Sequence, residues 1–166
     1  KIPSLRPAFR KNGTVTAANS SSISDGASSV ILMLESEANK RGIKPLARIE
    51  NHATNSHEPQ WFTTAPIGAI EKVLEKSGWK KNDVDLYEVN EAFAVVPMAV
   101  MKDLGVSDDI LNIYGGACAL GHPVGASGAR IVTTLINALK KNNLKRGVAS
   151  LCIGGGEATA LALEIV

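Results

Sequence analysis

The sequence lacks the features that mark several specialised classes of protein. Its two cysteines are too few for a disulfide framework, so we expect reduced thiols. No apolar run approaches the roughly 20 residues that a membrane-spanning helix needs. Positive and negative charges nearly balance, 18 against 16, and lie scattered along the chain. We therefore expect neither nucleic acid nor a membrane surface as a partner.

The composition is that of an ordinary globular domain. Hydrophobic residues make up 45% of the 166 residues and charged residues 20%, which suits about one domain with a full core. The first residue is Lys1 rather than methionine, and no signal-peptide block follows it. We expect a piece of a longer protein, with the cytoplasm as the default compartment.

Short apolar runs alternate with amphipathic stretches after an irregular lead-in. Gly42 and Gly78 are placed to end two of the helices, and Pro97 predicts a kink or a late start in a third. Strands alternating with helices predict an α/β fold, a central sheet with helices on its faces. The predicted strands are residues 28–34 and 46–53 (both buried), 85–89, 111–114, 148–153 and 158–166, and the predicted helices are residues 36–41, 65–76, 91–104 and 125–141.

The first candidate site is Asn90, which precedes Glu91 at a predicted junction of strand and helix. An amide beside a carboxylate between two apolar runs could fix a water or a substrate carbonyl. Asparagine is also a favoured residue for capping a helix N-terminus, so a purely structural role stays open.

The second candidate is His122, inside the glycine-rich stretch GGACALGHPVGASG of residues 115–128. Pro123 suits the first position of a helix, which would set His122 near the positive end of the helix dipole. A neutral histidine there can point a ring N–H at a developing oxyanion. A phosphate loop is rejected because histidine and proline stand where lysine and a hydroxyl residue are needed.

The third candidate is Cys152, which ends a predicted strand and is followed by three glycines. Unpaired backbone N–H groups there would favour the thiolate and lower the pKa of Cys152, although a small core residue is an equal alternative. Cys118 is either reactive or merely packed. His52 and His57 are predicted to lie at the surface, and no pair of cysteines or histidines has the spacing of a structural zinc site.

Five motifs in this order resemble the C-terminal part of the thiolase family. They are GTVTA at residues 13–17, DGA at 25–27, NEAFA at 90–94, GGACALGHPVGASGAR at 115–130 and CIGGGEA at 152–158. The resemblance implies a thiolase-like C-terminal domain with a mixed central sheet over residues 31–166. Residues 1–30 would be a lead-in and loop that belong to the end of the N-terminal half.

The resemblance also implies a role for each candidate. His122 would activate the nucleophile and line a first oxyanion hole, and Asn90 would hold the water that completes it. Cys152 would be the general acid and base, and the Gly154 N–H would help form a second oxyanion hole. Ser21 falls where the family has a serine near the pantetheine arm of coenzyme A, but Ala18 and Ser22 replace the usual glycines of that loop.

The implied activity is that of an acetyl-CoA C-acetyltransferase of fatty acid metabolism. It would condense two acetyl-CoA molecules to acetoacetyl-CoA and catalyse the reverse thiolysis with coenzyme A, without metal or cofactor. The nucleophilic cysteine would lie in the N-terminal half, so the chain alone is expected to be inactive. Family members are usually homodimers or homotetramers. The alternatives are a non-catalytic coenzyme A-binding module and a ketoacyl synthase-like condensing enzyme, although the latter uses a second histidine where Cys152 stands.

Overall fold

The computed structural model describes residues 1–166 and contains five helices and four strands. The lead-in is irregular, as predicted, with only a 3₁₀ turn at Ile2–Ser4 before the first helix. The elements are α1 (Glu35–Lys40), β1 (Ala47–Ser56), α2 (Ala65–Ser77), β2 (Leu86–Val89), α3 (Val95–Leu104), α4 (Ala117–Leu120), α5 (Ser127–Lys141), β3 (Arg146–Ile153) and β4 (Glu157–Ile165).

The four strands form one mixed sheet in the order β1-β4-β3-β2. The pair β2 and β3 is parallel, whereas β4 runs antiparallel to both β1 and β3. A three-glycine turn joins β3 to β4, and Gly156 adopts a φ of +87° there, in the left-handed region that favours glycine. The predicted α/β fold with a mixed sheet is therefore confirmed.

Helices cover both faces of the sheet, because side chains on each strand alternate between two cores. On β3, Val148 packs into a core shared with α2 and α3, while its neighbour Ala149 packs into a core shared with α5. Leu135 of α5 lies where a side chain on Gly147 would stand, so that glycine lets the helix approach the sheet closely. No helix is long and apolar enough to span a bilayer.

Some local predictions are wrong. Residues 28–34 form no strand, and their apolar side chains are exposed, because no strand of this chain pairs with them. Residues 111–114 contribute only a single bridge, between Leu111 and Tyr87. The strand β1 is real but mostly exposed, since it lies at the sheet edge and buries only Ala53. The late start of α3 is as predicted, with Pro97 in its first turn.

Candidate active site

The candidate residues converge on the edge of the sheet where the parallel strands β2 and β3 end. Asn90 directly follows β2, and its backbone N–H donates to the carbonyl of Ser150 at 2.9 Å. Cys152 comes two residues later on β3, at the same carboxyl end. Parallel strands bring their carboxyl ends to one sheet edge, and this places Asn90 and Cys152 on neighbouring strands.

The lead-in holds together the loops that carry Asn90 and His122. The N–H and the hydroxyl of Ser21 both donate to the carbonyl of Ala92, at 3.1 and 2.9 Å. One residue later, the carbonyl of Ser22 accepts the N–H of His122 at 2.9 Å. Ser21 therefore lies at the candidate site, between these two loops.

The hydrogen bonds of Ser127 determine which ring nitrogen of His122 carries the proton. The Ser127 hydroxyl donates its only hydrogen to the carbonyl of Pro123 at 3.0 Å, so it must accept from His122 Nδ1, which lies 2.5 Å away. The neutral ring therefore carries its hydrogen on Nδ1. His122 Nε2 is left unprotonated, with a lone pair that can accept a hydrogen bond or a proton, so it can act as a base.

Asn90 faces that free nitrogen. Its Oδ1 accepts a hydrogen bond from Arg130 at 3.0 Å, so its NH₂ group must point the other way, and Nδ2 lies 3.3 Å from His122 Nε2. The helix-capping alternative is wrong, because α3 begins at Val95 with Ala94 as its N-cap residue. The Asn90 side chain therefore contacts Arg130 and His122, and the second hydrogen of its NH₂ group has no acceptor within the chain.

Burial and one positive charge set the protonation of His122. Burial lowers the pKa of His122, and the nearby guanidinium of Arg130 lowers it further. The imidazole is therefore neutral at pH 7, as predicted, with burial as the largest cause. Pro123 is not the first residue of the helix, since α5 begins four residues later at Ser127, and His122 contacts that residue through its side chain.

Cys152 is buried, and burial raises the pKa of its thiol. The expected lowering by unpaired backbone N–H groups is wrong, because the stabilising backbone contact is weaker than the cost of desolvation. No hydrogen bond joins the Cys152 side chain to His122 or Asn90. In the turn that follows, the Gly154 N–H has no acceptor within the chain.

The other candidate side chains lie apart from this arrangement. Burial and the carboxylate of Glu91 raise the pKa of Cys118, which is the opposite of what an activated nucleophile needs. Its N–H donates to Glu91 at 3.0 Å, so the carboxylate caps the short helix α4. His52 and His57 are exposed, as predicted, and His57 Nε2 contacts the Trp61 carbonyl at 2.8 Å.

Three residues of the site are absent from the sequence-based predictions: Ser127, Arg130 and Glu88. A signal existed for the two charged ones. Glu88 interrupts an otherwise apolar strand, and Arg130 lies one residue before the buried Ile131, at the border of the buried face of α5. A charge at a core position is rarely buried unless it is paired.

The assembled groups suit acyl chemistry. An unprotonated ring nitrogen lies 3.3 Å from an amide NH₂ group. A buried thiol lies near the end of the neighbouring strand, before an unpaired backbone N–H. Proton transfer and oxyanion stabilisation are the two contributions that such groups make to catalysis.

Known proteins align with almost the whole chain. The family described as "Thiolase, C-terminal domain" matches residues 43–165, and "Thiolase, N-terminal domain" matches residues 1–36. A probable acetyl-CoA acetyltransferase of Dictyostelium discoideum is 57% identical over 99% of this chain, and the Paracoccus denitrificans acetyl-CoA acetyltransferase is 52% identical over 98%. The chain spans only 40% and 42% of the length of these two relatives.

Solved structures share the fold closely. The acetyl-CoA acetyltransferase of Bacillus anthracis superposes with a TM-score of 0.97 at 44% identity, over 99% of this chain and 42% of that one. A thiolase from Ascaris suum in complex with coenzyme A superposes with a TM-score of 0.90 at 43% identity, over 99% of this chain and 43% of the other.

Proposed function

This chain belongs to the thiolase family, and on that premise we propose that it supplies the acid–base and oxyanion groups of an acetyl-CoA C-acetyltransferase. The observation that carries the proposal is the hydrogen-bonded series from Asn90 through His122 to Ser127. It presents an unprotonated ring nitrogen and an amide NH₂ group at one point of the sheet edge. A base and an oxyanion donor are both needed there for acyl transfer.

In the first half-reaction, a cysteine of an N-terminal half attacks the thioester of acetyl-CoA. His122 Nε2 takes the proton of that thiol, and the imidazolium that forms keeps its Nδ1–H on Ser127. The oxyanion of the tetrahedral intermediate meets the Gly154 N–H, which has no other acceptor. The coenzyme A thiolate then departs, and the Cys152 thiol protonates it.

In the second half-reaction, Cys152 is the thiolate left by that proton transfer. It removes an α-proton from a second acetyl-CoA, and the enolate oxygen is stabilised by protonated His122 and the water held by Asn90. The enolate carbon attacks the acyl-cysteine, which releases the cysteine and forms acetoacetyl-CoA. A raised pKa of Cys152 suits this order, because the group must begin the cycle as an acid.

Coenzyme A thioesters are the proposed substrates, and no cofactor takes part. Ser21 supports binding of the pantetheine arm, since its hydroxyl donates to Ala92 and keeps its lone pairs for an amide N–H of the substrate. The proposed partner is the N-terminal half. Its docking is supported by the exposed apolar side chains of residues 30–34, which no strand of this chain covers.

The experiment uses the chain together with its N-terminal half and follows thiolysis of acetoacetyl-CoA. We expect Cys152→Ala to lower kcat by about 10²–10⁴-fold, because it removes the general acid and base. The matched control is Cys118→Ala, which we expect to leave kcat within about twofold. Unchanged thiolysis in Cys152→Ala would contradict the proposal, and a preference for acyl carrier protein over coenzyme A thioesters would favour a ketoacyl synthase-like enzyme.

A further inference from the structure

A buried ion pair lies directly behind Asn90. Glu88 is on β2 and is 3% exposed, and its Oε1 accepts a hydrogen bond from Arg130 Nη1 at 3.1 Å. The other arm of the same guanidinium, Nη2, donates to Asn90 Oδ1 at 3.0 Å. One rigid group thus joins a carboxylate in the middle of a strand to an amide of the site.

The guanidinium determines which way the Asn90 amide faces. An asparagine side chain can rotate by half a turn and exchange its oxygen for its NH₂ group at little steric cost. Arg130 can only donate, so the oxygen of Asn90 must face it. The NH₂ group is thereby held toward His122. In the reversed orientation, the amide oxygen would face His122 Nε2 and favour a proton there, which would block the base.

Glu88 in turn holds Arg130. Its carboxylate has no other hydrogen-bond partner, so its contact with Arg130 is its one polar interaction. The nearby carboxylate of Glu91 does not compete for the guanidinium, because it accepts from Cys118 and from Asn112. A guanidinium is planar and rigid, so a carboxylate that binds its Nη1 also fixes the position of its Nη2.

We propose that Arg130, anchored by Glu88, is a positioning residue of the reaction, which fixes the Asn90 amide with its NH₂ group toward His122. The inference rests on the proposed function and adds to it two residues that touch neither the substrate nor the reacting atoms. Its distinctive consequence is that, at a pH above the pKa of His122, where the charge of Arg130 no longer alters the protonation of that ring, the ion pair acts only through Asn90. Removing the pair should therefore have no effect once Asn90 is gone.

The test is a double-mutant cycle on the chain with its N-terminal half, measured as kcat and KM for thiolysis. The pair is removed as Glu88→Leu with Arg130→Met, because deleting one partner would leave an uncompensated buried charge whereas deleting both is often tolerated. The control removes a more exposed arginine–glutamate pair on the same sheet, between Arg146 and Glu164, as Arg146→Met with Glu164→Leu. Thermal unfolding of every variant reports its folding.

We expect removal of the pair to lower kcat about tenfold with little change in KM, and Asn90→Ala to lower kcat about 100-fold. The triple variant should match Asn90→Ala to within about threefold. A triple variant whose kcat falls by the product of the two separate effects would overturn this inference and leave the proposed function standing. So would an unchanged kcat after removal of the pair, whereas an unchanged kcat in Asn90→Ala would overturn the proposed role of Asn90 as well.

A second variant applies if the paired replacement does not fold. Arg130→Lys keeps the charge beside Glu88, but a single ammonium cannot span both acceptors as the guanidinium fork does. We expect it to lower kcat severalfold in the Asn90 protein and to have no effect in the Asn90→Ala protein. An equal loss of kcat in both backgrounds would overturn the inference.

Discussion

Replacing Ser127 by alanine removes the one acceptor of the His122 Nδ1–H. Ser127 is fully buried, so no water replaces its hydroxyl. The carbonyl of Pro123 still accepts from the backbone N–H groups of Ala126 and Ser127. The group left without a hydrogen-bond partner is therefore His122 Nδ1–H. A buried donor without a partner costs about 1–3 kcal/mol. When that free energy is lost from the orientation of the His122 ring in the transition state, kcat/KM falls by about 5- to 150-fold.

The assay is the pH dependence of kcat/KM for thiolysis of acetoacetyl-CoA, with the N-terminal half present. The hydroxyl stabilises imidazolium more than neutral imidazole, so its loss lowers the pKa of His122 and moves the acidic limb of the profile to lower pH. The matched control is Thr133→Ala, which removes a hydroxyl-to-carbonyl bond of the same kind on the exposed face of α5. Equal activity of the two variants, or an acidic limb that moves to higher pH, would refute the reasoning.

Three further predictions concern the stability of the fold, each measured by urea unfolding. Burial raises the pKa of Glu88 to about 7, so the native state holds a proton that the unfolded state releases, and this group's contribution to stability falls as the pH rises from about 4.5 to 7. Glu88→Gln should flatten that part of the profile, and an unchanged pH slope would contradict the assignment. Leu135→Ala should cost about 2–5 kcal/mol because the side chain is buried against the sheet, whereas the exposed Leu120→Ala should cost almost nothing; similar costs would contradict the packing. Gly156→Ala should cost about 1–3 kcal/mol because of its positive φ, and more than Gly155→Ala in the same turn, where an added Cβ meets only ordinary contacts.

The helices and strands that pack against one another within this chain were predictable from the sequence. The periodic apolar face of α5 and the glycine after α2 gave helix bounds within two residues of those observed. The two final strands were equally clear, since alternating side chains and a three-glycine turn define a hairpin. The prediction of a buried strand over residues 28–34 was wrong for a physical reason. An apolar run indicates burial, but it does not say which other segment will cover it.

The candidate site divides in the same way. Short motifs identify Asn90, His122 and Cys152 as chemical groups. The parallel pairing of β2 with β3 explains why Asn90 and Cys152 lie at neighbouring strand ends, whereas His122 reaches Asn90 through the loop before α5. The roles of Arg130 and Glu88 depend on contacts between a strand and a helix more than 40 positions apart, which no local pattern encodes. The pKa of Cys152 likewise depends on how deeply the strand end is buried, and glycine neighbours alone predicted the wrong direction.

The central claim is that the chain supplies one half of a catalytic centre whose nucleophile lies on another segment. The most direct test is thiolysis of acetoacetyl-CoA by the chain alone, by the N-terminal half alone, and by the two together. The account predicts turnover only when both are present, and its loss when His122 is replaced by alanine. Turnover by the chain alone, or a folded and associated pair that binds coenzyme A without turnover, would contradict it.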